Sequence, residues 1–201
     1  MQAVESPRVD SNFGRSIENL LSGIGSTIPK AKFGSAKTLL EISNHNTAVL
    51  YEYLSGFERL LNSDNNILKW IAIDVISNII VANPRKLTPK LFQKLLLLIS
   101  DKESMITAGH VIDNLGKVAK AKPSLSITIT KRLLDLETSS RNQECKNILL
   151  GKAIVAFQQY FECIENKGEV IVFVERQLHN SRNATRLKAK AFLSAARQRS
   201  R

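Results

Sequence analysis

The feature that most constrains this chain is a recurrence. Two apolar stretches of helical length each stop at a proline, at Asn83-Pro84 and at Lys122-Pro123, and the two prolines stand 39 residues apart. Asp74 and Asp113 repeat at the same offset. Proline lacks a donor for the preceding turn and pushes its predecessor out of the helical region, so each marks a helix end. Polar residues that read as helix starts recur too, at Ser63, Ser100, Ser140 and Asn180, spaced 37, 40 and 40 residues apart. A period of this length marks an array of two-helix units, each unable to bury its apolar faces alone.

The units can be followed residue by residue. Trp70, Ile71, Ile73, Val75, Ile76, Ile79, Ile80 and Val81 make a helix apolar around most of its girth, as a helix flanked by neighbours must be. Thr88 then reads as an N-cap with Pro89 in the first helical position, leading into Leu91, Phe92, Leu95, Leu96, Leu98 and Ile99. Ser104 to Ala121 repeats the first helix, and Leu125, Ile127, Ile129, Leu133, Leu134 and Leu136 supply the apolar set of the second. A further pair runs from about Arg141 to Cys163, turns at Asn166-Lys-Gly168 and returns through Val170, Ile171, Val174 and Leu178. The run Val170 to Val174 favours a strand by local preference, but no partner strand is in sight, so a helix is expected. Before this array, Pro7, Gly14, Gly23, Gly25, Pro29 and Gly34 argue against a long helix. Residues 1–35 are therefore expected as a loose arm or partial cap, with one amphipathic segment carrying Ile17, Leu20 and Leu21, and residues 36–201 as the repeat domain.

With these residues in view, the chain resembles the HEAT-repeat family, of which armadillo arrays are close relatives. Ser63-Asp-Asn-Asn-Ile-Leu-Lys-Trp-Ile-Ala72 and Asn180-Ser-Arg-Asn-Ala-Thr-Arg-Leu-Lys-Ala189 have the polar turn, the cation and the alanine with which such repeats open. The resemblance spans roughly residues 36–198, and the unit around Arg141 departs from it in having no proline in its turn. It implies an all-α fold, a right-handed α-solenoid of stacked antiparallel helical hairpins, whose second helices line a concave face. It implies no particular reaction.

Side chains that carry chemistry are scattered. His45, His110 and His179 fall on different units, and Cys145 and Cys163 lack metal-ligand spacing, so no catalytic set, metal or cofactor is expected. Gly23-Ile-Gly25 follows no strand and is a turn, not a phosphate cradle. Asp74 and Asp113 read as ties to an adjoining turn. Trp70 one turn before Asp74 gives a thin resemblance to HEAT-like alkylpurine DNA glycosylases, which pair an acid with aromatic rings in a basic groove; Trp70 is the sole tryptophan here and has no aromatic company. The opening residues are mixed polar, and no apolar run nears the roughly 20 residues needed to cross a bilayer. A cytoplasmic or nuclear location is expected.

Charge is unevenly placed. Of the formal +11, Arg176 to Arg201 contributes eight cations and no acid, while the rest of the chain holds 21 basic and 18 acidic residues. The expected function is a non-enzymatic protein-binding scaffold whose concave face presents Lys90, Lys94, Thr128, Lys131, Arg132 and Arg176 to an acidic protein or peptide. The alternative is nucleic-acid binding through phosphate contacts, with Arg182, Arg186, Lys188, Lys190, Arg197, Arg199 and Arg201 as the polyanion-binding set.

Overall fold

A computed structural model describes the backbone of residues 11–199 and the side chains of residues 16–198. All regular structure among these residues is helical. A leading helix, α1 (Ser11–Ile24), is followed by longer first helices and shorter second helices in alternation. The first helices are α2 (Pro29–His45), α4 (Asn66–Ala82), α6 (Met105–Ala121), α8 (Gln143–Tyr160) and α10 (Asn183–Arg199). The second helices are α3 (Leu54–Leu60), α5 (Pro89–Leu97), α7 (Ser126–Leu134) and α9 (Lys167–Arg176). The run Val170 to Val174 lies in α9, with Val170, Phe173 and Val174 buried, so burial of one face overrides its preference for a strand.

Helix ends follow from the residues that sit there. The side chain of Asn65 accepts from the backbone N–H of Ile67 and Leu68 at 3.1 and 3.3 Å, Ser104 from Thr107 at 3.0 Å, and Asn142 from Cys145 at 2.9 Å. These N-caps stand two to four residues after Ser63, Ser100 and Ser140. Ser63 instead orders the approach, its hydroxyl accepting from the N–H of Asn65 at 3.1 Å. Thr88 caps α5 as expected, accepting from the N–H of Leu91 at 3.1 Å. Asn166-Lys-Gly168 is not a turn: Asn166 caps α9, and Lys167 and Gly168 begin it. At the other ends, Asn83 (φ −141°, ψ 88°) and Lys122 (φ −134°, ψ 78°) are extended before their prolines. Asn46 closes α2 with nearly the same geometry and no proline.

The breaker-rich opening, expected to be loose, is helical from Ser11 onward. Pro29 takes the first position of α2, where its missing donor costs nothing, and Gly34 faces open space. Ile17 is fully buried.

By contacts, the chain divides into two units, Met1–Lys86 and Leu87–Arg201, so the boundary falls inside the segment expected as one repeat domain. In the first unit α1 packs on α2, and α2 and α3 pack on α4, around Ile17, Leu39, Leu50, Phe57, Ile73 and Ile76. Asn78 on α4 donates to Ser43 Oγ and Asn44 Oδ1 at 2.9 and 2.8 Å, tying α4 to α2. In the second unit α6 packs along α8 and α8 along α10. Aromatic edges fill the far end: Phe157 against Phe173 at 5.5 Å and Phe161 against Phe192 at 5.2 Å between ring centres.

The approach of α6 to α8 depends on glycine. A Cβ at Gly116 would lie 2.9 Å from the carbonyl oxygen and 3.0 Å from the Cα of Ala156, both backbone atoms. Gly116→Ala should therefore lower stability despite gaining about 1 kcal/mol of helix propensity, because overpacking costs about 1–3 kcal/mol. Gly34→Ala, with nothing within 4 Å of the added carbon, should raise it by about 1 kcal/mol. Urea denaturation followed by helical signal measures both, and equal shifts of one sign would contradict the close packing.

Candidate functional site

The second helices of the second unit each bury one stripe and expose another. α5 buries Leu91, Phe92, Leu95 and Leu96; α7 buries Ser126, Ile129, Thr130 and Leu133; α9 buries Val170, Phe173 and Val174. Their outer stripes carry Lys90 and Leu97 on α5, Ile127, Thr128 and Lys131 on α7, and Glu169, Val172, Glu175 and Arg176 on α9, all exposed. Lys94 and Arg132 are half-buried beside them. Three aliphatic side chains stand in this outer set: Leu97, Ile127 and Val172, at 68%, 58% and 49% exposure. Ile127 was expected in the core; the inward stripe at positions 126, 129, 130 and 133 leaves it outside, since a helix advances about 100° per residue. A groove of about 340 Å³ is lined by Ile127, Thr130, Lys131, Leu134 and Asp135 on one side and Ile164, Glu165, Asn166 and Glu169 on the other.

Arg176 differs from its companions. Its Nε and Nη2 donate to the two carboxylate oxygens of Glu137 at 2.9 and 2.5 Å, and Gln177 donates to the same group at 3.0 Å. That hydrogen bonding raises the Arg176 pKa above its ordinary value. A two-point pairing of this kind fixes the guanidinium and withdraws it from ligand duty.

The pairing belongs to a set that repeats with the period of the fold. Asp101 accepts from Ser139 Oγ at 2.6 Å, from Ser140 N at 2.7 Å and from Ser140 Oγ at 2.6 Å. These hydrogen bonds, Ser139 first, bring the Asp101 pKa down to about 2, with help from Arg141. Arg141 places Nε 3.4 Å from Asp101 and donates to the Ser100 carbonyl at 2.5 Å. Asp113 on α6 pairs with Lys152 on α8, so this carboxylate ties two first helices and not a turn. Asp74, its counterpart on α4, is half-buried. Glu144 pairs with Arg182. Inside the same layer, buried Asn147 accepts from Gln143 and Asn180 at 2.9 and 3.0 Å and donates to Ser181 at 2.7 Å, while Thr185 donates to its carbonyl at 2.8 Å. Buried Tyr160 meets Thr130 at 3.0 Å, and burial pushes its pKa up.

The C-terminal cations are thereby sorted. Arg182 is held by Glu144. Arg186 donates to the carbonyls of Asn180 and Ser181 at 2.8 and 2.9 Å and to Asn183 at 3.2 Å. Lys188 is half-buried; burial first, then the charges of Lys152 and Arg182, lower its pKa, while Asp113 opposes them. Lys190 and Arg197 are exposed. The side chain of Arg199, and Arg201 altogether, lie outside the described residues. Trp70 is half-buried on α4 near Asp74. His45, His110 and His179 lie on separate elements, and Cys145 and Cys163 are free and half-buried. Among the described residues no acid, histidine and cysteine cluster could hold a metal, and no helix is long and apolar enough to cross a membrane.

No protein-family model and no curated protein matches the chain. Among solved structures it is similar to the crystal structure of an engineered protein, with a TM-score of 0.54 and 16% identity over 87% of this chain and 76% of that one. At that identity the likeness concerns the fold alone.

The depressed Asp101 pKa has a consequence for acid stability. A carboxyl group at about 2 when folded and 3.8 when free binds more protons in the unfolded chain, so its contribution is complete above pH 4 and lost as the pH falls through 2. Asp101→Asn should be less stable than the parent at pH 6, with the two converging toward pH 2. A constant difference across that range, in urea titrations at each pH, would refute the role given to Asp101.

Proposed function

We propose that the helical pairs stack as a right-handed solenoid of the HEAT type, and that the chain is a non-enzymatic scaffold holding a protein or peptide against α5, α7 and α9. The recurrence of the first helices and their matched N-caps at Asn65, Ser104 and Asn142 supports the repeat reading. The observation that carries the binding role is the placing of Leu97, Ile127 and Val172 outward on helices that already have a complete apolar face. Exposed aliphatic groups beside a groove are the usual anchor points for a partner. Lys90, Lys94, Lys131 and Arg132 surround them on α5 and α7 and favour an acidic partner; Arg176 serves indirectly, through Glu137. Nucleic-acid binding through the C-terminal run is less well supported, since Arg182 and Arg186 are occupied and Lys188 is half-buried.

The test is a photo-crosslinking residue at Thr128, compared with one at the exposed Lys117 on α6, in extract of the native cells. A discrete protein adduct from Thr128 alone, surviving nuclease, is expected. Ile127→Glu and Val172→Glu, both at exposed positions, should each reduce its yield about tenfold, as loss of an interface anchor does. Adducts that vanish with nuclease, or that form equally from both positions, would overturn the reading.

A further inference from the structure

A second surface lies at α10, apart from the stripe of second helices. Lys190, Leu193, Ser194 and Arg197 follow one another at helical spacing and form one wall of a cavity of about 470 Å³, whose other wall is Leu178 in the 3-10 turn Gln177–His179. The floor is aliphatic, Leu193 and Leu178, and a cation stands at each end of the wall. No carboxylate lines this cavity, and the chain from Arg176 to Arg201 contains none. Lys190 and Arg197 make no ion pair among the described residues, in contrast to Arg182. On the opposite flank of Leu193 and Arg197 a cavity of about 400 Å³ includes Glu175, and its Lys167 is already paired with Glu162. Only the first flank therefore joins an aliphatic floor to unopposed positive charge.

We propose that this flank of α10 docks an acidic amphipathic helix, with an aliphatic side chain between Leu178 and Leu193 and a carboxylate on each of Lys190 and Arg197. The two cations stand seven residues apart, two helical turns, or about 10 Å along the axis. A partner helix laid alongside meets them with carboxylates at the same spacing, and its aliphatic residue falls between. Phosphate backbone could satisfy the cations but not the floor, and this separates a peptide from a nucleic acid.

The experiment uses the full chain and labelled synthetic helices of about 18 residues, near five turns. The first carries two glutamates seven residues apart with leucines midway. The second replaces the leucines by serine, the third carries lysines in place of the two glutamates, and a duplex DNA of similar charge is the fourth probe. The first peptide should bind, and the serine peptide and the DNA should each bind about tenfold more weakly or worse. Lys190→Glu/Arg197→Glu, changed only at exposed side chains, should lose the first peptide and gain the lysine peptide. That reversal requires a folded groove, so it also reports on folding. The proposal fails if the serine peptide or the DNA matches the first peptide, or if the double variant binds the first peptide like the parent or does not bind the lysine peptide. The outer stripe of α5, α7 and α9 is untouched in every arm, so either surface can fail without the other.

Discussion

At Gly116 the backbone of α8 comes so close to α6 that the space for even one methyl group is gone. Helices in contact at this range cannot be spaced by large side chains, and small residues gather accordingly: Ala108, Gly109, Gly116 and Ala119 on α6, Gly151, Ala153 and Ala156 on α8, all buried. The same thinning recurs one step on. A Cβ at Gly109 would meet the Lys152 side chain at 2.9 Å, and one at Gly151 would meet Thr185 Oγ1 at 2.8 Å. Close approach multiplies short-range dispersion contacts, each worth only about 0.1–0.2 kcal/mol but numerous in a dense interior. It also fixes where the polar groups fall. With Gly109 flat, Lys152 lies across it and reaches Asp113; with Gly151 flat, Thr185 reaches the carbonyl of Asn147.

The first helices thus form a layer held by backbone proximity and by polar contacts between successive turns. The second helices need only one face to join it, and their outer faces are released from structural duty. That division of labour is what leaves Leu97, Ile127 and Val172 in solvent without weakening the core, because the inward stripes on α5, α7 and α9 are already filled. An exposed aliphatic group on a helix with an unfilled core stripe would be read as a packing fault. Here it is surplus, and surplus apolar surface is what recognition requires.

Much of this organisation was legible in the sequence, and the residues show why. Proline acts locally, so Pro84 and Pro123 mark helix ends regardless of their surroundings, and Thr88 with Pro89 marks a start for the same reason. The polar starts were found in the right repeat but two to four residues early, because Ser63 orders the turn before the helix while Asn65 caps it. The opening helix was missed because its glycines were counted as breakers. Gly23 instead permits contact with Ser35, and its added Cβ would lie 2.2 Å from the hydroxyl oxygen. Ile127 was misplaced because apolar character was counted without phase. Neither error concerns composition; both concern which neighbour a residue meets, and that is a property of the packed chain.

The fate of the cations does have a sequence signature, carried by the repeat length itself. Ten Lys and Arg residues lie between Arg141 and Arg197, and four of them have an acid 38 to 40 residues earlier: Arg141, Lys152, Arg176 and Arg182. Those four are ion-paired to Asp101, Asp113, Glu137 and Glu144. The offset works because one repeat separates side chains that lie abreast on adjoining elements, so a carboxylate and a cation one period apart are brought within contact range by the fold. The remaining six have no acid at that distance. Arg186 and Lys146 turn to backbone carbonyls, Lys167 to nearby Glu162, and Lys188 is half-buried among like charges. Lys190 and Arg197 are left over, and both reach the same cavity beside α10. Net charge alone would have counted Arg176 and Arg182 with them. Position within the period separates cations that hold the layer together from cations that remain available to a partner.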